Sequence, residues 1–130
     1  MAGFTIQERF EIQEQRRDEI TLLFIKGRMD QAELEVVTAA VTRLQKEGRR
    51  RVVVDFSEVT AITTLTVAGL VMTAASLRGA GGEMVMTGIS PSVSKVFAVI
   101  DATHKLELQP DVVAAIKSMT QQAPEPGATA

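Results

Sequence analysis

The order of hydrophobic and polar positions divides the chain into alternating strand-like and helix-like stretches. Residues 10–15, "FEIQEQ", alternate apolar and polar as a half-buried strand does. A polar turn, "RRDE", leads to "ITLLFIKG" (20–27), a second and more apolar strand. The two read as an antiparallel hairpin. Asp30 followed by Glu33 has the spacing of a capping box, with Asp in the Ser/Thr role. From there Leu34, Val37, Val41 and Leu44 recur at helical spacing, and Gly48 stands where a left-handed C-terminal cap belongs. "RRRVVVDF" (49–56) is a basic lead-in to a short buried strand, with Val52, Val53 and Val54 expected at the centre of the sheet. A second helix is expected from about 64 to 78, ending at "GAGG", and "EMVMTG" (83–88) is another strand. Ser90-Pro91 opens a third helix with Val93, Val96, Phe97 and Ile100 on its apolar face. "KLEL" (105–108) is a short strand, and a last helix spans roughly 110–120. The tail 121–130, with two prolines, is expected to be disordered, so residues 1–120 form a single domain. Strands alternating with helices predict an α/β layer fold.

Between the third strand and the second helix lies a knot of hydroxyls, Thr63-Thr64-Leu65-Thr66, inside an otherwise apolar segment. A threonine at a helix start is a common N-cap, which accounts for one of the three. The positive end of the helix that follows would also tolerate a phosphate on Thr64. Such a modification places roughly 1.5 to 2 negative charges on a neutral surface. The glycine-rich "GAGGE" (79–83) follows a helix and precedes a strand, the reverse of a phosphate-cradling loop, and reads as a turn.

Composition removes several functions. With 130 residues, 45% hydrophobic and 23% charged, the chain is an ordinary globular domain. Its net charge of -2 predicts no bulk nucleic-acid binding. It has no cysteine and a single histidine, His104, so thiolate metal sites and most catalytic triads are excluded. No acid/base pair or metal set can be assembled, and neither an enzyme nor a cofactor is expected. No apolar run is long enough to span a membrane, and the N-terminus lacks signal-peptide character, so the expectation is a cytoplasmic protein. The arginines at 49–51 read as solvated charge before a strand, and Met29 and Met72 as candidates for a contact surface.

"VVVDFSEVTAITTLTVAGL" and "GGEMVMTGISPSVSKVF" together resemble the STAS domain family, whose members include bacterial anti-sigma factor antagonists. The family reads roughly "VVLDLSGVxFIDSSGLGVL", then "GGxLxLxxxSPxVxxLF", and "GRMD" (27–30) resembles its "GxLD". The resemblance covers about residues 6–120. It implies the STAS fold: a four- to five-stranded mixed sheet with about four helices packed mainly on one face. It also implies a signalling role in transcription regulation. The family's switch serine, the first of "DSSG", falls on Thr64, with Thr63 and Thr66 as backups. Its aspartate falls on Thr63, its second serine on Leu65 and its glycine on Thr66. The implied partner surface comprises Asp30, Thr63, Thr64, Thr66, Ser90 and Ser92. The implied partners are an anti-sigma factor or a GHKL-type serine/threonine kinase, with a phosphatase. Homodimerisation is left open, and no nucleic acid or membrane insertion is implied. The alternative is a constitutive STAS interaction subunit, in a signalling scaffold or on an ABC-type lipid transporter.

Overall fold

The computed structural model describes residues 10–122. Five strands form one mixed sheet in the order β1-β2-β3-β4-β5. They are β1 (Glu11–Arg17), β2 (Ile20–Met29), β3 (Arg51–Ile62), β4 (Glu83–Thr87) and β5 (Glu107–Gln109). The helices are α1 (Gln31–Lys46), α2 (Thr64–Gly79), α3 (Pro91–Val99) and α4 (Val112–Gln122), with a 3-10 turn at Ala102–His104 before β5. The hairpin β1–β2 is antiparallel, and β2, β3, β4 and β5 run parallel. Val52, Val53 and Val54 lie on the central strand, fully buried, as their run of β-branched side chains predicts.

Alternation along β3 assigns its side chains to two cores. Val52, Val54 and Phe56 face the larger one, with Val37, Val41 and Leu44 of α1, Val67 and Leu70 of α2, and Val93 and Phe97 of α3. Val53 faces the other way, with Ile20, Leu22 and Val85, against Ala115 and Met119 of α4. Three helices therefore cover one face and α4 covers the other. Phe56 and Phe97 meet edge to face at 6.2 Å.

Several boundaries move. Arg16 and Arg17 belong to β1, and only Asp18-Glu19 turn, with Asp18 in the left-handed region (φ 55°). β3 runs to Ile62 rather than stopping at residue 56. Past Asp55 it pairs with β2 alone, through two irregularities in register that break the apolar alternation by which strands are read. β5 begins at 107 because residues 102–106 make the 3-10 turn and a bend. Pro110 lies outside α4, since the Asp111 carboxylate caps it, accepting from Ala114 N–H at 2.8 Å. The last helix runs on to Gln122, two residues into the stretch expected to be a disordered tail, and residues 123–130 lie outside the described part. Gly48 (φ 83°) closes α1 as expected: its N–H bonds Gln45 O and that of Arg49 bonds Leu44 O, a Schellman pair. Gly81 and Gly82 close α2 in the same way, confirming "GAGGE" as a turn.

Candidate functional site

Each of α1, α2 and α3 starts where a parallel strand ends, so their N-termini share the C-terminal edge of the sheet. The last residues of β2 and β3, Met29 and Ile62, are paired, and the two following residues are the caps Asp30 and Thr63. Asp30 and Thr63 are therefore neighbours by backbone register. β4 pairs with β3 only to Asp55↔Thr87, so its following turn starts alongside Ser57 and not beside Thr63. Of the expected surface, Asp30 and the threonine knot come together, and Ser90 and Ser92 sit one step further back along the same edge.

The caps are specific. The Asp30 N–H donates to the Glu33 carboxylate at 2.9 Å, and the exposed Asp30 carboxylate pairs with Arg28. The Thr63 Oγ1 accepts from Thr66 N–H at 3.1 Å and lies 2.8 Å from the Thr66 hydroxyl. Thr66 is completely buried. Ser90 caps α3, accepting from Val93 N–H at 3.2 Å, and its hydroxyl lies 3.2 Å from that of Ser92. The three threonines therefore have three environments: Thr63 caps, Thr66 is buried beneath it, and Thr64 is exposed with no side-chain hydrogen bond among the described residues. No acidic residue occupies the first turn of α2, so the positive end of its dipole meets no carboxylate of its own.

The outward face of α2 continues from this point. Leu65 is 61% and Met72 72% exposed, and Ala75 is exposed as well. From Val59 through Leu77 the chain carries no charged side chain. A surface helix ordinarily carries charged residues on its outer stripe, and the exposed positions of α2 before Arg78 are Thr64, Leu65, Met72, Ala75 and Ser76, none of them charged. Of the two methionines singled out from the sequence, Met72 is exposed and Met29 is fully buried. The helix is held firmly against α1. A Cβ on Gly69 would meet Leu34 Cδ2 at 2.2 Å, and Thr38 and Thr73 lie 3.3 Å apart, oxygen to oxygen.

Asp55 is a feature that pattern reading passed over. Its buried carboxylate accepts from Thr87 Oγ1 at 2.8 Å and from Ser57 Oγ at 2.5 Å. Gly88 (φ 70°) passes so close that a Cβ there would lie 2.9 Å from Asp55 Oδ1. The carboxylate thus ties the point where β4 leaves the sheet. A single Asp in "VVVDF" between apolar neighbours was the available signal.

Among the described residues no cluster of His, Asp and Glu is arranged to hold a metal, and no helix is long and apolar enough to cross a membrane.

A mixed sheet of this order, with three helices on one face, a fourth on the other, and a capped helix presenting hydroxyls at the C-terminal edge of its central strand, is the architecture of a small α/β domain. A family model described as "Mlab, STAS domain" matches residues 12–115, and the chain belongs to the STAS family. No curated protein matches the chain. Among solved structures, a putative anti-sigma factor antagonist from Thermotoga maritima superposes with a TM-score of 0.76 at 13% identity, covering 84% of this chain and 94% of that one. An anti-sigma factor antagonist from Mycobacterium paratuberculosis gives 0.76 at 14% identity over 86% and 95%. The antagonist SpoIIAA of Bacillus, in its unphosphorylated form, gives 0.65 at 14% identity over 88% and 99%. At these identities the likeness is one of fold.

Proposed function

We propose that this chain is a non-enzymatic binding module of the anti-sigma factor antagonist type, acting in the cytoplasm. Its partner docks at the start of α2 and along that helix's outward face, and phosphorylation of Thr64 controls docking. The observation that carries this reading is the coincidence of an exposed, unbonded Thr64 with an exposed helix face bearing Leu65 and Met72 and no charge. A phosphate on Thr64 leaves the fold intact, because its side chain is exposed and the helix N-terminus tolerates an anion. A docked partner has to desolvate the new charge or oppose it, and either weakens the complex. The partner class is an anti-sigma factor or a GHKL-type serine/threonine kinase, with a phosphatase reversing the mark. Asp30 borders this surface, with Ser90 and Ser92 at its far margin.

A specific observation favours the second reading, a constitutive STAS subunit of a signalling scaffold or lipid transporter. The Thr63 hydroxyl is committed to capping and that of Thr66 is buried, so two of the three threonines are occupied structurally. Phosphosite mapping after incubation with kinases of the native lysate, joined to partner capture by Thr64→Glu and Thr64→Ala, separates the two. The switch reading expects phosphate on Thr64, about tenfold or more weaker capture by Thr64→Glu, and unchanged capture by Thr64→Ala. Absence of phosphate together with full capture by Thr64→Glu establishes the constitutive reading instead.

A further inference from the structure

At the opposite end of the sheet from Thr64, the residues that precede β2, β3 and β4 enclose a cleft of about 570 Å³. Its walls are the hairpin turn Asp18-Glu19, the arginines 49–51, and the α2–β4 turn with Arg78, Gly81 and Gly82. We propose that this cleft is a second binding site, for a compact condensed-phosphate anion of the pyrophosphate class, held by Arg50 and Arg78.

The four arginines are not equivalent. Arg49 is pinned: its guanidinium donates to Thr21 Oγ1 at 2.7 Å and to the carbonyls of Asp18 and Ile20. Arg51 reaches the Met119 carbonyl at 3.4 Å. Arg50 and Arg78 make no side-chain hydrogen bond and no salt bridge among the described residues, although Asp18, Glu19 and Glu83 line the same cleft. Elsewhere the chain pairs its arginines readily: Arg16 and Arg43 share Glu14 and Glu47. A cation in the last turn of a helix is favoured by the dipole, which explains Arg78 alone and not four guanidiniums around one hollow.

Glycine lets the α2–β4 turn pack close to β3 beside this cleft: a Cβ on Gly82 would meet Arg50 O at 2.6 Å and Leu77 at 2.7 Å, and Gly81, at φ 87°, has its Cβ position 3.6 Å from an Arg50 nitrogen. The concave volume lies within the roughly 300–1,000 Å³ of small-ligand sites, which argues against a flat protein interface. Two guanidiniums whose donors make no hydrogen bond among the described residues, each with up to about five of them, match a multivalent oxyanion better than a single carboxylate. The three carboxylates on the walls break any continuous basic track, which excludes a nucleic-acid backbone.

The test is a titration of the full chain with sodium pyrophosphate at low salt, followed by amide and arginine Nε resonances in heteronuclear NMR. Saturable shifts confined to Arg50, Gly81, Gly82 and the Arg50 and Arg78 side chains are expected. Arg50→Gln and Arg78→Gln, both at exposed positions, should fold and each weaken binding roughly tenfold. Thr64→Glu should leave it unchanged, since the two sites lie at opposite ends of the sheet. Shifts that do not saturate, shifts of equal size at Lys26, Arg28 and Lys95, or unchanged affinity in both glutamine variants overturn the assignment.

Discussion

Replacing Thr63 with alanine should cost more than a helix cap, and the excess should vanish when Thr66 is also changed. The cap itself, the Thr66 N–H to Thr63 Oγ1 bond, is worth about 1 kcal/mol. The same Thr63 oxygen is also the partner of the Thr66 hydroxyl at 2.8 Å, and that hydroxyl is wholly buried. Leaving it without a partner adds about 1–3 kcal/mol, so Thr63→Ala should destabilise by about 2–4 kcal/mol. Thr66→Val removes the buried hydroxyl, while the exposed Thr63 turns its own to water and keeps capping, for a cost of about 1 kcal/mol or less. In the double variant no buried hydroxyl is stranded. Its loss should fall about 1–3 kcal/mol short of the sum of the singles. Urea denaturation with equal slopes measures all four corners of the cycle. Additivity within about 0.5 kcal/mol would show that the two hydroxyls do not depend on each other, and would return Thr63 to the status of a simple cap.

Two further outcomes concern carboxyl groups, the buried Asp55 and the partly buried Glu83. Asp55→Ala strands the fully buried Thr87 hydroxyl and should cost about 2–3 kcal/mol in chemical denaturation, with Asp55→Ala/Thr87→Val recovering part of it; a loss below about 0.5 kcal/mol would contradict the role given to this carboxylate. Burial, helped by nearby Glu107 and opposed by Arg51 and Arg78, holds the Glu83 carboxyl above its ordinary range. A raised folded-state value means that the group's contribution is complete at pH below its unfolded value and is lost as pH rises through the folded one. Glu83→Gln should therefore stabilise the protein at neutral pH and flatten stability between mildly acidic and neutral pH, as thermal melts across that range would reveal; an unchanged profile would refute it.

Local chemistry in the sequence was enough for the elements and most of their ends. The capping pattern at Asp30 and Glu33, Ser90-Pro91, Gly48 as a left-handed cap and the periodic Val37, Val41 and Leu44 each act through neighbours a few residues away, and each appears in the structure as expected. The run Val52–Val54 placed the central strand, because only a strand covered on both faces takes three consecutive buried β-branched side chains. What the tertiary structure decided depends on partners distant in sequence. The extension of β3 to Ile62 exists because β2 offers it a free edge as far as Met29, and that pairing is what sets Asp30 beside Thr63. The different fates of three threonines in one short knot depend on which way α2 turns against α1, a matter of Gly69 admitting Leu34. The arginines at 49–51 read as one solvated run, and folding sends Arg49 to the hairpin, Arg51 to α4 and Arg50 to a cleft also lined by Gly81 and Gly82. Periodicity reports which side of an element is covered, but only the packing of elements reports what covers it and which polar groups are left facing an open space.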